Sequence, residues 1–171
     1  MSKQFTIAAL NAMSQEEFTA ALGAIYEHSP WFAQRAAATR PFKDLQRLQE
    51  AMANSVRRAT PDERMNLILA HPELAGKAAV RGELTEESTR EQKGAGLDQC
   101  SPEEFAQLQD LNRRYRDKFG FPFIVAVKGH NRQSILKNMS ERLGNARDAE
   151  ANECIEQIIK IGNFRMADIV Q

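Results

Sequence analysis

Four times along this chain a hydroxyl residue is followed by acids in the pattern that opens a helix. The segments are Ser14-Gln15-Glu16-Glu17, Thr60-Pro61-Asp62-Glu63, Thr85-Glu86-Glu87-Ser88 and Ser101-Pro102-Glu103-Glu104. A Ser or Thr oxygen at such a position accepts from an early helical amide, and a Glu three residues on reaches back to pair the cap amide. Proline directly after the cap, as in Pro61 and Pro102, is preset for the first helical position. Helical spacing then continues each start. Leu22, Ile25 and Tyr26 extend the first, Met65, Leu67, Ile68 and Leu69 the second, and Phe105, Leu108, Leu111 and Tyr115 the last, which Gly120 closes. The third is short and runs into Gly94 and Gly96. A helix after Pro41 carries Leu45, Leu48 and Met52 on one face, and two more are expected over Asn131 to Leu143 and Asp148 to about Ile169. The expected architecture is all-α: one compact domain over residues 1–171, with about seven to eight helices.

Composition narrows the function classes. With 42% hydrophobic residues in 171, the chain can pack one core and is not disordered. Its 23 Lys and Arg balance 23 Asp and Glu, so no general field attracts phosphate backbones or anionic lipid, and nucleic acid and membrane are not expected partners. The longest apolar run, Phe121-Pro122-Phe123-Ile124-Val125-Ala126-Val127, falls far short of a membrane span. Cys100 and Cys154 are isolated, which suits a reducing compartment and a role as small buried hydrophobes. The first residues make no secretory signal, and Asp168-Ile169-Val170-Gln171 is not a peroxisomal tripeptide, so the cytoplasm is the expected location.

Four features stand out chemically. His71 follows a helix end, and Pro72 forces it out of the α region. It reads either as a cap on the preceding helix or as a proton carrier near neutral pH, with Leu74-Ala75-Gly76-Lys77 offering little bulk beside it. Ser88, Glu91 and Gln92 share one face of a short helix, which is either solvated surface or the wall of a polar site. Arg165 shares an apolar stripe with Ile158, Ile161 and Ile169, so it needs Glu91, an anionic ligand or both, unless it snorkels at the core edge. The run Phe121 to Val127, between Gly120 and Gly129, is β-prone with no second strand to meet. Its amides and carbonyls require partners: a ligand, or a loop against which it pairs as a short strand, unless the run is a buried helix turn.

Other chemistries lack their motifs. There is no H-E-x-x-H, and three dispersed histidines do not make a zinc site, so no metal is expected. No glycine-rich nucleotide loop is present, and nothing singles out Lys77, Lys93 or Lys128 as a Schiff-base residue. Trp31 and Phe32, after His28-Ser29-Pro30, read as a core anchor behind a turn.

Three blocks in order, His71-Pro72-Glu73-Leu74-Ala75-Gly76-Lys77, Leu84-Thr85-Glu86-Glu87-Ser88-Thr89-Arg90-Glu91-Gln92 and Phe119-Gly120-Phe121-Pro122-Phe123-Ile124-Val125-Ala126-Val127-Lys128-Gly129, resemble the 2-oxo-4-hydroxy-4-carboxy-5-ureidoimidazoline (OHCU) decarboxylases. These lyases complete the route from urate to (S)-allantoin. The resemblance covers essentially the whole chain and leaves no room for the transthyretin-like domain fused to some relatives. It implies an all-helical, cofactor-free, homodimeric enzyme acting on a small ureidoimidazoline. It implies His71 as the catalytic acid with Glu91 and Arg165 beside it. It further implies that Pro72, the stretch Ser88, Thr89, Arg90, Glu91, Gln92, and the stretch Phe123, Ile124, Val125, Ala126, Val127 line the substrate. A second reading is a non-catalytic helical module that binds ureido compounds or a protein partner.

Overall fold

The computed structural model describes residues 3–171, apart from the side chains of Lys77 and Ala78. Its helices are α1 (Ile7–Ala12), α2 (Gln15–Leu22), α3 (Trp31–Ala37), α4 (Leu45–Arg57), α5 (Pro61–Ala70), α6 (Lys77–Val80), α7 (Glu86–Gly94), α8 (Pro102–Phe119), α9 (Arg132–Arg142) and α10 (Arg147–Ile169), with a 3-10 turn at Leu97–Gln99. The fold is all-α, and every helix expected from the start signals is present.

The caps form as their residue types dictate. Ser14 and Glu17, and likewise Ser101 and Glu104, exchange reciprocal hydrogen bonds with each other's backbone amides. Thr60 Oγ1 accepts from the Glu63 amide while Glu63 Oε1 accepts from the Thr60 amide, both at 3.1 Å. Gly120 ends α8 at a φ of 78°, a left-handed conformation that glycine adopts without a steric penalty. Helices α1, α3 and α6 were not expected, being 6, 7 and 4 residues long and too short to show a period. Helix α2 stops at Leu22, short of Ile25 and Tyr26, because Gly23 is a poor helix former. Trp31 departs from its expected role. It opens α3 and is 40% exposed, while Phe32 beside it is fully buried and meets Tyr26 edge-on at 5.9 Å.

Two compact units emerge from the packing. The first comprises Met1–Ala70 and Ile158–Gln171, and the second His71–Gln157. In the first, Leu10, Phe18, Phe32, Leu48, Met52, Val56 and Leu67 are buried core. A parallel bridge pairs Phe5 with Val170, and the Gln4 and Phe5 amides both donate to Ile169 O. In the second, Tyr115 stands against Phe119, Phe121 and Phe123, with ring centroids 4.6, 5.9 and 5.4 Å away. Leu108, Ile135, Met139 and Cys154 are buried in the same unit. Among the described residues no helix is long and apolar enough to cross a membrane.

Candidate active site

His71 begins the second unit. Helix α5 ends at Ala70, as Pro72 requires, and His71 is 8% exposed on the bend that follows. The loop after it is pinned through its main chain. Gln92 Oε1, from α7, accepts from the Ala75 amide at 2.9 Å. From α8, Gln109 Nε2 donates to Ala75 O at 2.7 Å and Asn112 Nδ2 to Leu74 O at 2.9 Å. Ala75 takes a φ of 48°, uncommon for a residue with a Cβ, and these amide side chains hold it there. Gly76 is closely packed: a Cβ on it would stand 2.8 Å from Glu73 Cβ. Glu73 itself is ion-paired with Arg116.

Helix α7 divides as its 3.6-residue period predicts. Ser88 and Gln92 are buried and Glu91 half-buried on one face, whereas Arg90, two residues from Ser88, is exposed. Thr89 is half-buried, its Oγ1 donating to Thr85 O at 2.9 Å. Gln92 is thus both a candidate substrate contact and a strut for the histidine loop.

The third expected wall is Phe123 to Val127, all buried. Residues 122–127 run without helix, strand, turn or bend. In an extended chain, backbone groups alternate between two edges. One edge is held by side chains. Arg142 Nη1 donates to Ile124 O at 2.7 Å, and the Ala126 amide donates to Gln157 Oε1 at 2.9 Å. On the other edge, the amide and carbonyl of Val125 have no hydrogen-bond partner among the described residues. Neither a paired strand nor a helical turn supports this segment; α9 and α10 do so through their side chains.

Behind it lies a polar cluster that sequence reasoning missed. Glu150 Oε1 accepts from Tyr115 Oη at 2.7 Å and from Arg142 Nε at 2.5 Å, and Glu150 Oε2 from Asn145 Nδ2 at 3.0 Å. Arg142 also lies over the Phe123 ring, 4.4 Å from its centroid. Cys154 is fully buried against Tyr115 Oη at 3.3 Å, and burial pushes its thiol above the usual range. Burial likewise drives the Tyr115 phenol up, so it donates as a neutral hydroxyl. A signal for this cluster was available: Glu150, Cys154 and Ile158 fall on one stripe of α10, the same argument that singled out Arg165. Cys100 is half-buried, so of the two thiols only Cys154 matches the expectation of a buried hydrophobe.

Arg165 belongs to the first unit, where it is 6% exposed and not snorkelling. Its Nη1 donates to Ile25 O at 3.1 Å and its Nη2 to Glu27 Oε1 at 3.0 Å. One carboxylate beside it is Glu27, which sequence reading did not name. An acid abutting Ile25-Tyr26 was the available clue. Among the described residues, no group of three or more His, Cys, Asp or Glu is placed to hold a metal ion.

Comparison with known proteins bears on the same residues. Residues 11–167 match the family described as OHCU decarboxylase. A 2-oxo-4-hydroxy-4-carboxy-5-ureidoimidazoline decarboxylase of Halalkalicoccus jeotgali is 39% identical over 166 residues, covering 97% of this chain and 92% of that protein. The uric acid degradation bifunctional protein PucL of Bacillus subtilis is 40% identical over 166 residues, 97% of this chain but 33% of its own length. This chain thus spans about a third of the bifunctional relative and nearly all of the single-function one. The crystal structure of (S)-allantoin synthase superposes with a TM-score of 0.79 at 25% identity, over 97% of this chain and 54% of that one.

Proposed function

Because this chain belongs to the OHCU decarboxylase family, we propose that it decarboxylates 2-oxo-4-hydroxy-4-carboxy-5-ureidoimidazoline to (S)-allantoin in urate degradation, with His71 as proton donor. The reading is carried by the family match, which spans residues 11–167 and includes all three blocks around His71, Glu91 and Val125.

The chemistry asks little of the protein beyond placement. The bond from the ring carbon to its carboxylate breaks, CO2 leaves, and the electron pair is taken up by the adjacent C=N bond of the substrate. While the hydroxyl on the carbon that lost CO2 gives up its proton to become the carbonyl, a proton must then reach the neighbouring, ureido-bearing carbon from one face. His71 is suited to deliver it, since imidazole exchanges protons near neutral pH and its loop is held at three backbone atoms by Gln92, Gln109 and Asn112. Glu91 holds the hydroxyl or ureido group. Arg165, its guanidinium oriented by Glu27 and Ile25 O, gives a charge-assisted hydrogen bond to an anionic or carbonyl oxygen. The Val125 amide and carbonyl offer one donor and one acceptor on a single edge, which suits a ureido or ring amide. Pro72 and the stretch Ser88 to Gln92 complete the lining. The enzyme acts without a cofactor, as a cytoplasmic homodimer.

The test is incubation of the purified protein with freshly generated substrate, followed by circular dichroism at the bands of allantoin. Accelerated, stereospecific appearance of the S product is expected. The racemic, uncatalysed course in the presence of protein would reject the activity.

A further inference from the structure

We propose that Gln157 is a positioning residue for this reaction: it fixes the main chain of residues 124–126 so that the Val125 amide and carbonyl face the ligand. The inference rests on the function proposed above. Gln157 Oε1 accepts from the Ala126 amide at 2.9 Å, while its Nε2 donates to Glu153 Oε1 at 2.8 Å. Glu153 lies one turn earlier on α10, so the pair shares a helix face. That second bond decides the first. A side-chain amide can present oxygen or nitrogen, and a carboxylate at its nitrogen end locks the oxygen toward Ala126.

The need for such a lock follows from the segment itself. An extended run outside a sheet has no ladder to set which edge faces where, and rotation about its long axis would exchange the two edges. Arg142 on Ile124 O and Gln157 on the Ala126 amide grip two groups of one edge, two residues apart. Two such grips prevent rotation where one does not. Arg142 also serves the buried Glu150 cluster, whereas Gln157 is half-buried and its two bonds touch nothing else in that cluster. Gln157 can therefore be changed with the second unit's core left intact.

Gln157→Met keeps the length of the side chain and removes the acceptor. The amide of Ala126 is expected to exchange with solvent at least about tenfold faster. KM should rise about tenfold with kcat within about twofold, as for the loss of one hydrogen bond's worth of binding common to ground and transition states. The double exchange of Glu153→Gln with Gln157→Glu reverses the partners but keeps an oxygen on Ala126, and should bring KM back to within about threefold of wild type. Unchanged KM in Gln157→Met, or a double exchange no better than the single variant, overturns the inference. Wild-type protein without decarboxylase activity strikes at the function itself; active wild type with an indifferent Gln157→Met strikes at Gln157 alone.

Discussion

Arg165 Nη2 lies 3.0 Å from Glu27 Oε1, and the two side chains are 6% and 1% exposed. A guanidinium on an apolar stripe is tolerated because a carboxylate from the turn after α2 meets it out of water. Removing either partner takes a buried opposite charge away from the other. Glu27→Gln is expected to cost about 3 kcal/mol, at the low end for breaking a buried pair, and chemical denaturation at pH 7 measures it. An unchanged midpoint would show that the pair contributes nothing to the folded state.

His71→Asn should abolish stereospecific product formation and leave helical circular dichroism unaltered. The side chain is 8% exposed at the start of a loop whose anchors are main-chain bonds to Gln92, Gln109 and Asn112, none of which the substitution touches. An undiminished rate of S-product formation would remove His71 from the proton transfer.

Arg142→Leu should be far more damaging than the loss of an exposed arginine. Arg142 pairs with Glu150, whose side chain is fully buried, and also donates to Ile124 O. Its removal leaves the Glu150 charge short of its main partner, at a cost of about 3–5 kcal/mol. Arg113→Leu, by contrast, breaks pairs with Asp110 and Asp117 that stand in solvent. Parallel urea melts should show a large loss for the first and none for the second.

Acid should loosen the start of α8. The Glu104 carboxyl is held below its ordinary 4.5, first by the hydrogen bond from the Ser101 amide and also by Arg132. A carboxyl with a lowered folded pKa stabilises the fold fully above its unfolded pKa, and that contribution fades as pH falls through the folded value. Stability should therefore drop below about pH 4.5, and Glu104→Gln should flatten that part of the pH profile. Equal acid slopes for variant and wild type would contradict this.

How much could be read in advance depended on the range of the interaction. Helix starts were legible because Ser14 with Glu17, Thr60 with Glu63, and Ser101 with Glu104 satisfy one another three residues apart. The end of α5 was legible because Pro72 acts on its immediate neighbour. What supports Phe123 to Val127 was not legible, since Arg142 and Gln157 reach it from 18 and 31 residues away. Nor was Glu27, which lies 138 residues from Arg165. The stripe argument that flagged Arg165 applied equally to Glu150 on the same helix, but only the distant partners distinguish a buried ion pair from a ligand-facing charge. Trp31 misled because the helix it opens is 7 residues long, and the buried face begins one residue later.

The bridge between Phe5 and Val170, with Gln4 and Phe5 donating to Ile169 O and the Gln171 amide donating back to Phe5 O, knits residues 4 and 5 to the segment that follows α10. Opening of either segment must therefore release the other. The two should melt and become open to proteases in one step, so deleting Gln4 and Phe5 would loosen the last turn of α10 as surely as cutting that turn itself.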